Sequence, residues 1–175
     1  MKKMKTEKLK SNSGLTITEV IVVLGILSVF SIFLVNIVIT SQNAWLVQNT
    51  SVPMRVEAKQ TMEAMAKELR EGDPSAPGGI VIGGAGNSQI TFQVPNQVSQ
   101  AGVQSWRQIQ FSHNVALQQV VRTEGVNVTT LGRNITSLQF AEANNVITTT
   151  VGARRITSGG LDVRSTLTSQ VRLRN

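Results

Sequence analysis

The segment LTITEVIVVLGILSVFSIFLVNIVI, residues 15–39, determines how the rest of the chain is organised. Its 25 residues are apolar apart from a few small or polar positions, which are Thr16, Thr18, Glu19, Gly25, Ser28, Ser31 and Asn36. As a helix rising 1.5 Å per residue, the segment would extend about 37 Å, which exceeds the roughly 30 Å hydrocarbon core of a bilayer. The sequence therefore predicts one membrane-crossing helix.

The charges on either side of this segment predict its orientation. The 175-residue chain carries 17 Lys+Arg against 10 Asp+Glu, a formal net charge of +7. Residues 1–14 contain five lysines and one glutamate, whereas residues 15–54 contain a single charged residue, Glu19. This asymmetry places the N-terminus in the cytoplasm and everything after residue 40 outside. Trp45 suits either the membrane interface or packing along a long helix.

Three kinds of N-terminal segment compete to explain this pattern. A secretory signal peptide has an apolar region of about 7 to 15 residues and then a small-x-small cleavage site. Here the apolar run is longer, and residues 41–45 (SQNAW) make a poor site. A plain signal anchor explains the length but not Glu19, because an intramembrane carboxylate costs about 1–3 kcal/mol and normally has a functional partner. A leader removed ahead of the apolar run accounts for both features.

The junction Ser13-Gly14-Leu15-Thr16-Ile17-Thr18-Glu19-Val20 resembles the class III leader junction of type IV pilins and type II secretion pseudopilins. Those proteins have a short basic leader ending in Gly, then a hydrophobic first mature residue, Thr, two mostly apolar residues, and Glu at the fifth position. Gly14, Thr16 and Glu19 fit this pattern. Leu15 replaces the commonest Phe, and Thr18 replaces a common Leu or Ile.

The resemblance implies how the chain is processed. A membrane prepilin peptidase would cut between Gly14 and Leu15 on the cytoplasmic side and would methylate the new amine of Leu15. The ammonium of one subunit would then meet Glu19 of a neighbour where the apolar helices bundle. Such a pair, at about 4 Å and an effective dielectric constant near 20, is worth roughly 4 kcal/mol before desolvation. It would set the register between subunits more than it adds stability.

The helix is predicted to continue beyond the membrane into an exported head. Ala58, Met62, Met65 and Leu69 recur at helical spacing between charged positions, which indicates an amphipathic helix with an apolar stripe facing a domain. We expect a kink at Pro53 and the helix end at Gly72.

The remainder, residues 73–175, is predicted to form antiparallel strands. Alternating apolar positions and turn residues indicate strands near 90–94, 107–111, 115–121, 126–131, 135–140, 146–151 and 167–173. The predicted fold class is α+β, a long N-terminal helix packed on an antiparallel pilin-like head. The predicted organisation is a leader (1–14), a transmembrane and assembly helix (15–40), its amphipathic continuation (41–72) and the head (73–175).

The order of strands in the head also resembles J-type minor pseudopilins and related minor pilins. The similar elements are Ile109-Gln110-Phe111, the run from Leu117 to Arg122, the strand Ile135 to Phe140, and the C-terminal Val171-Arg172-Leu173-Arg174-Asn175. An unassigned minor or major pilin is the alternative. A major pilin would more often carry a C-terminal cysteine pair or an Asp-rich calcium loop.

Several kinds of chemistry are excluded by composition. The chain contains no cysteine, which excludes disulfides, thiolate metal sites and cysteine nucleophiles. His113 is the only histidine, so a two-histidine metal site is impossible within one chain, and a Ser-His-Asp triad has no other support. The GGAG sequence at 83–86 lacks a following Gly-Lys-Ser/Thr and is interpreted as a turn. We expect no catalytic residue, no metal and no cofactor.

Basic residues late in the chain raise the question of nucleic-acid binding. They could form a basic face for DNA or an acidic partner subunit, or lie on solvated outer faces of strands, and the second interpretation is favoured. Aromatic residues are too few for a stacking platform. Removal of the leader would leave 12 Lys+Arg against 9 Asp+Glu, a net charge of +3. The arginines concerned are Arg154, Arg155, Arg164, Arg172 and Arg174.

Together these features predict a non-enzymatic minor pilin or pseudopilin of the bacterial inner membrane, with its head in the extracytoplasmic space. Its expected partners are a prepilin peptidase, the membrane and other pilin or pseudopilin subunits of a pilus or secretion pseudopilus. The alternative is a single-pass anchored protein whose β-rich head binds a ligand or senses a signal. A DNA-binding minor pilin is a third possibility.

Overall fold

A computed structural model of the chain describes residues 16–98 and 104–173. The fold class is α+β, one long N-terminal helix and an antiparallel head of two sheets. Gly14, Leu15 and the leader lie outside the described residues. The elements are α1 (Ile17–Glu71), β1 (Val81–Gly83), β2 (Gln89–Val98), β3 (Gln104–Asn114), β4 (Gln119–Glu124), β5 (Asn127–Gly132), β6 (Ile135–Ala143), β7 (Val146–Ile156) and β8 (Asp162–Arg172).

The chain divides into two compact units between Asn43 and Ala44. In the first unit, α1 is long and apolar enough to cross a membrane, and its most apolar stretch is not buried by the rest of the chain. The hydroxyls of Ser28 and Ser31 donate hydrogen bonds to the carbonyls of Leu24 and Leu27, at 2.7 and 2.8 Å. These bonds satisfy the serines within the helix, as a lipid environment requires.

In the second unit, the strands form two antiparallel sheets. The first sheet has five strands in chain order, β1 to β5, and the second has three, β6 to β8. Backbone bonds connect β6 to turns of the first sheet, because the amide of Phe140 donates to Asn87 O and that of Ile135 to Gln118 O, both at 2.9 Å. The hairpin from β6 to β7 turns through Asn144 and Asn145, both with positive φ, as tight hairpin turns require.

One hydrophobic core lies between the C-terminal part of α1 and both sheets. The predicted stripe of Ala58, Met62, Met65 and Leu69 is buried, which confirms its place in the core. The rings of Phe92 and Phe111 pack with centroids 5.5 Å apart. The strands contribute Ile90, Phe92, Val94, Ile109, Phe111, Val120, Ile135, Leu138, Phe140, Ile147, Val151, Ala153, Val163 and Val171.

A close contact fixes α1 against the end of β5. Thr61 is fully buried, and its hydroxyl donates to Leu131 O at 3.2 Å. A Cβ on Gly132 would overlap the Thr61 side chain, so only glycine fits at this position. The Glu57 carboxylate accepts a bond from the amide of Arg133 at 2.9 Å. Together these contacts determine where the first sheet meets the helix.

The helix end and most strands lie where the sequence indicates. α1 ends at Glu71, and a Cβ on Gly72 would come within 2.9 Å of the Phe92 ring, which explains the glycine after the last turn. The helix continues through Pro53.

The predicted strand at residues 115–121 is wrong in its first half. Residues 115–118 form a turn, in which the amide of Leu117 bonds to Asn114 Oδ1 at 3.1 Å and Gln118 has a φ of 51°. Val115 and Leu117 are exposed in this turn, although their spacing resembles that of a strand. The sequence also gave no sign of β1, whose three residues are too few to show a period.

Candidate functional site

The first feature with functional potential is the start of α1. Thr16 stands immediately before the helix, and Glu19 lies three residues later. The Glu19 carboxylate accepts bonds from the amide and the hydroxyl of Thr16, both at 2.9 Å. The amide of Glu19 donates back to the Thr16 hydroxyl at 3.4 Å. This reciprocal arrangement is a capping box, which satisfies amides that the first helical turn would otherwise leave unpaired.

The capping box gives Glu19 a partner within its own chain. The Thr-x-x-Glu spacing ahead of an apolar run is a known helix-start signal, which the sequence interpretation overlooked. The carboxylate remains exposed at this position. Its predicted role in subunit register stays a prediction, as do cleavage after Gly14 and methylation of Leu15, which lie outside the described residues.

A shallow notch lies on α1 at the level of Gly25. It is lined by Gly25, Ile26, Val29, Phe30 and Phe33, and a Cβ on Gly25 would meet nothing within 4 Å. Small residues in membrane helices allow another helix to approach closely.

Trp45 begins an exposed apolar stripe in the second unit. Its side chain is 63% exposed, and Val52 and Val56 follow at helical spacing with similar exposure. A shallow depression beside it is lined by Gln48, Asn49 and Pro53. Helical geometry places this stripe opposite the buried face. The predicted location of Trp45 at the membrane interface stays a prediction.

An ion network connects the last turns of α1 to the first sheet. Arg122 on β4 bonds through Nε to both oxygens of Glu68 at 2.8 Å, and through Nη2 to Glu124 at 2.6 Å. Arg107 on β3 lies 3.3 Å from Glu124 and 3.7 Å from Glu71. Three carboxylates and two guanidinium groups therefore bridge the helix and two adjacent strands.

The network shifts the ionisation of its members. Burial disfavours the charge on Arg122, but the hydrogen bonds and charges of Glu68 and Glu124 outweigh this and raise the pKa of Arg122. The hydrogen bond from Arg122 lowers the pKa of Glu124, against a smaller opposing effect of desolvation. Because every carboxylate here has a cationic partner, the arrangement is a structural brace with no free acid or base.

The late arginines lie around β7 and β8. Arg154 and Arg164 both bind Asp162, with nitrogen–oxygen distances of 2.9 and 2.7 Å. The hydrogen bonds from Arg164 and Arg154 lower the pKa of Asp162. Arg155 and Arg172 are exposed on the same two strands, and Arg174 lies outside the described residues. The shared Asp162 neutralises part of the charge that the sequence places here.

His113 is a structural residue of β3. Its Nε2 lies 2.7 Å from Ile135 O, so the ring joins the two sheets. Among the described residues, no group of three or more His, Asp or Glu lies close enough together to hold a metal ion.

No family model, no curated protein and no solved structure matches this chain.

Proposed function

We propose that this chain is a non-enzymatic filament subunit, a minor pilin or pseudopilin. Its leader would be removed after Gly14, and its apolar helix would join a pilus or secretion pseudopilus. One observation carries the proposal: a basic leader ending in Gly precedes an apolar segment, residues 15–39, whose single charged residue, Glu19, lies near its start.

The exposed surface of the helix supports this proposal. From residue 16 to residue 45 every described side chain is exposed, and most are large and apolar. A bilayer would cover this surface in the free subunit, and neighbouring helices would cover it in a filament. The head would then lie outside the inner membrane.

The capping box indicates how Glu19 would act both in the free subunit and in the assembled filament. Removal of residues 1–14 would leave the Thr16 amide intact, so the box would survive processing. Loss of a helix cap costs about 1 kcal/mol. A carboxylate–ammonium pair in a poorly solvated bundle gains up to roughly 4 kcal/mol before desolvation. The carboxylate would therefore stay with Thr16 in the free subunit and turn to a neighbour's amine during assembly.

Two matched substitutions test the proposal. Glu19→Gln retains a side chain that can complete the capping box but removes the charge, whereas Thr16→Ala removes the capping hydroxyl and keeps the charge. We expect Glu19→Gln to lower incorporation into sheared filaments at least about tenfold, and Thr16→Ala to lower it less than about twofold. The measurement is the ratio of filament-bound to membrane-bound protein.

Membrane fractionation and the extent of leader removal control for failures before assembly. Incorporation of Glu19→Gln at the wild-type level would contradict the proposed role of the charge. A retained leader on the wild-type chain would favour the alternative, an anchored protein with a ligand-binding or sensing head.

A further inference from the structure

The outer edge of β8 presents a row of unused backbone groups. β8 pairs with β7 over eleven consecutive residue pairs without a register shift. Across residues 16–98 and 104–173, no strand pairs with its other edge. Backbone amides and carbonyls along such an edge can bond to a further strand.

The other sheet edges present no comparable continuous row of unpaired backbone groups. β1 is three residues long, and the pairing that holds β5 shifts register between Val120 and Val121. β6 has its own register shift, and turn residues of the first sheet bond to its backbone. In β8, residues 165–170 (STLTSQ) contain no charge, no proline and no glycine over about 20 Å. Natural edge strands of this length are usually protected by charged residues or proline.

A groove lies beside the centre of β8. It has a volume of about 480 Å³ and runs between α1 and β8. Met62, Ala66 and Leu167 give it an apolar lining, and Lys59, Glu63 and Arg70 give it a charged rim. A strand added to β8 would lie about 4.8 Å away, with alternate side chains directed to this groove or to solvent.

The charges of this surface indicate the partner. Lys59 lies 3.6 Å from Glu63, whereas no ion pair to Arg70 occurs in the described part of the chain. The groove and β8 together carry four basic residues against two acidic ones. A second copy of the chain would bring the same positive excess, but an acidic segment would neutralise it.

We propose that the edge of β8 binds an extended, acidic segment of a different protein as an added strand, with a carboxylate at Arg70. Backbone bonds to residues 165–170 supply the register, and the groove selects the side chains. This surface lies entirely within the second unit, residues 44–175, so the proposal does not depend on filament membership.

The test uses the full chain in detergent micelles and a synthetic ten-residue peptide in which threonine and valine alternate between terminal aspartates. A second peptide carries N-methyl groups on alternate amides, which removes strand pairing but keeps the side chains. A third replaces the aspartates with lysines. We expect the first peptide to bind at least about tenfold more tightly than either control. It should also slow amide hydrogen exchange within residues 165–170.

A charge reversal in the groove has a matched control on the same helix. Arg70→Glu reverses the rim charge, and Arg55→Glu makes the same change at an exposed position outside the groove. We expect Arg70→Glu to weaken binding about tenfold at low salt and Arg55→Glu less than about twofold. Circular dichroism establishes that both variants are folded.

Three results would overturn the proposal. One is equal binding of the plain and N-methylated peptides, or binding of neither. Another is an equal loss of affinity in Arg70→Glu and Arg55→Glu. The third is concentration-dependent protection of residues 165–170 without peptide, which would make a second copy the occupant.

Discussion

Replacing Arg122 with methionine should destabilise the head through loss of its brace to α1. The guanidinium makes two contacts with Glu68 at 2.8 Å and one with Glu124 at 2.6 Å, and the Arg122 side chain is 15% exposed. Hydrogen bonds to charged groups contribute about 1.5–3 kcal/mol each, and breaking a fully buried ion pair costs about 3–5 kcal/mol. Because Glu68 and Glu124 stay partly hydrated at 24% and 30% exposure, we expect a loss of about 2–3 kcal/mol.

The measurement is thermal and urea unfolding of the full chain in detergent micelles, monitored by the far-ultraviolet circular dichroism of the strands. For a unit of this size, the loss corresponds to a fall in Tm of about 8 °C. The urea midpoint should fall without a change in slope, because the surface exposed on unfolding is the same. Methionine fills most of the space of the arginine stem, so packing changes little.

Lys59→Met is the matched control. Lys59 forms a single pair with Glu63, in which both side chains are about two-thirds exposed, at 68% and 66%. Exposed pairs of this kind contribute little, so no resolvable change in Tm is expected. A Tm for Arg122→Met within about 2 °C of the wild type, or an equal loss in Lys59→Met, would refute the proposed brace.

The other predictions concern acid stability and the contact between α1 and β5. The pKa of Glu124 is lower in the folded state than its ordinary value of 4.5, so the ionised carboxylate stabilises the fold above about pH 4.5. This stabilisation is lost as the pH falls through the lower pKa of the folded state. Urea midpoints should therefore decline below about pH 4.5 in the wild type and decline less in Arg122→Met; equal slopes would contradict this. Gly132→Ala should lower stability by about 2 kcal/mol or more, because the new Cβ overlaps Thr61, whereas Gly83→Ala, which meets nothing within 4 Å, should be nearly neutral. In a double-mutant cycle by urea unfolding, Thr61→Ala should reduce the loss caused by Gly132→Ala, and strict additivity would refute the contact.

Local sequence patterns predicted the elements whose signal lies within a few residues. The continuous apolar run predicted the exposed apolar part of α1, and helical spacing predicted the stripe containing Met62 and Met65. Alternation of apolar residues predicted seven strand regions, and in most of them one face packs on the core. The limit of this signal is shown by Val115 and Leu117, whose alternation belongs to an exposed turn.

Contacts between distant residues were beyond prediction from one sequence. Glu68 and Arg122 are 54 positions apart, and many other acids and arginines could have formed such a pair. The need for glycine at Gly132 depends on Thr61, 71 positions earlier, and is invisible until helix and sheet are docked. By contrast, the Thr16–Glu19 capping box could have been predicted from the sequence, because the Thr-x-x-Glu spacing alone indicates it.

The mature N-terminal residue distinguishes a processed pilin-like subunit from an anchored protein that keeps its leader. Mass spectrometry of the protein purified from cells with and without an active prepilin peptidase would identify its first residue and any modification. A processed filament subunit begins at Leu15 with a methylated amine when the peptidase is active and retains residues 1–14 when the peptidase is inactive. A chain that keeps the leader in peptidase-active cells, or that is cut after the apolar helix, would contradict this processing.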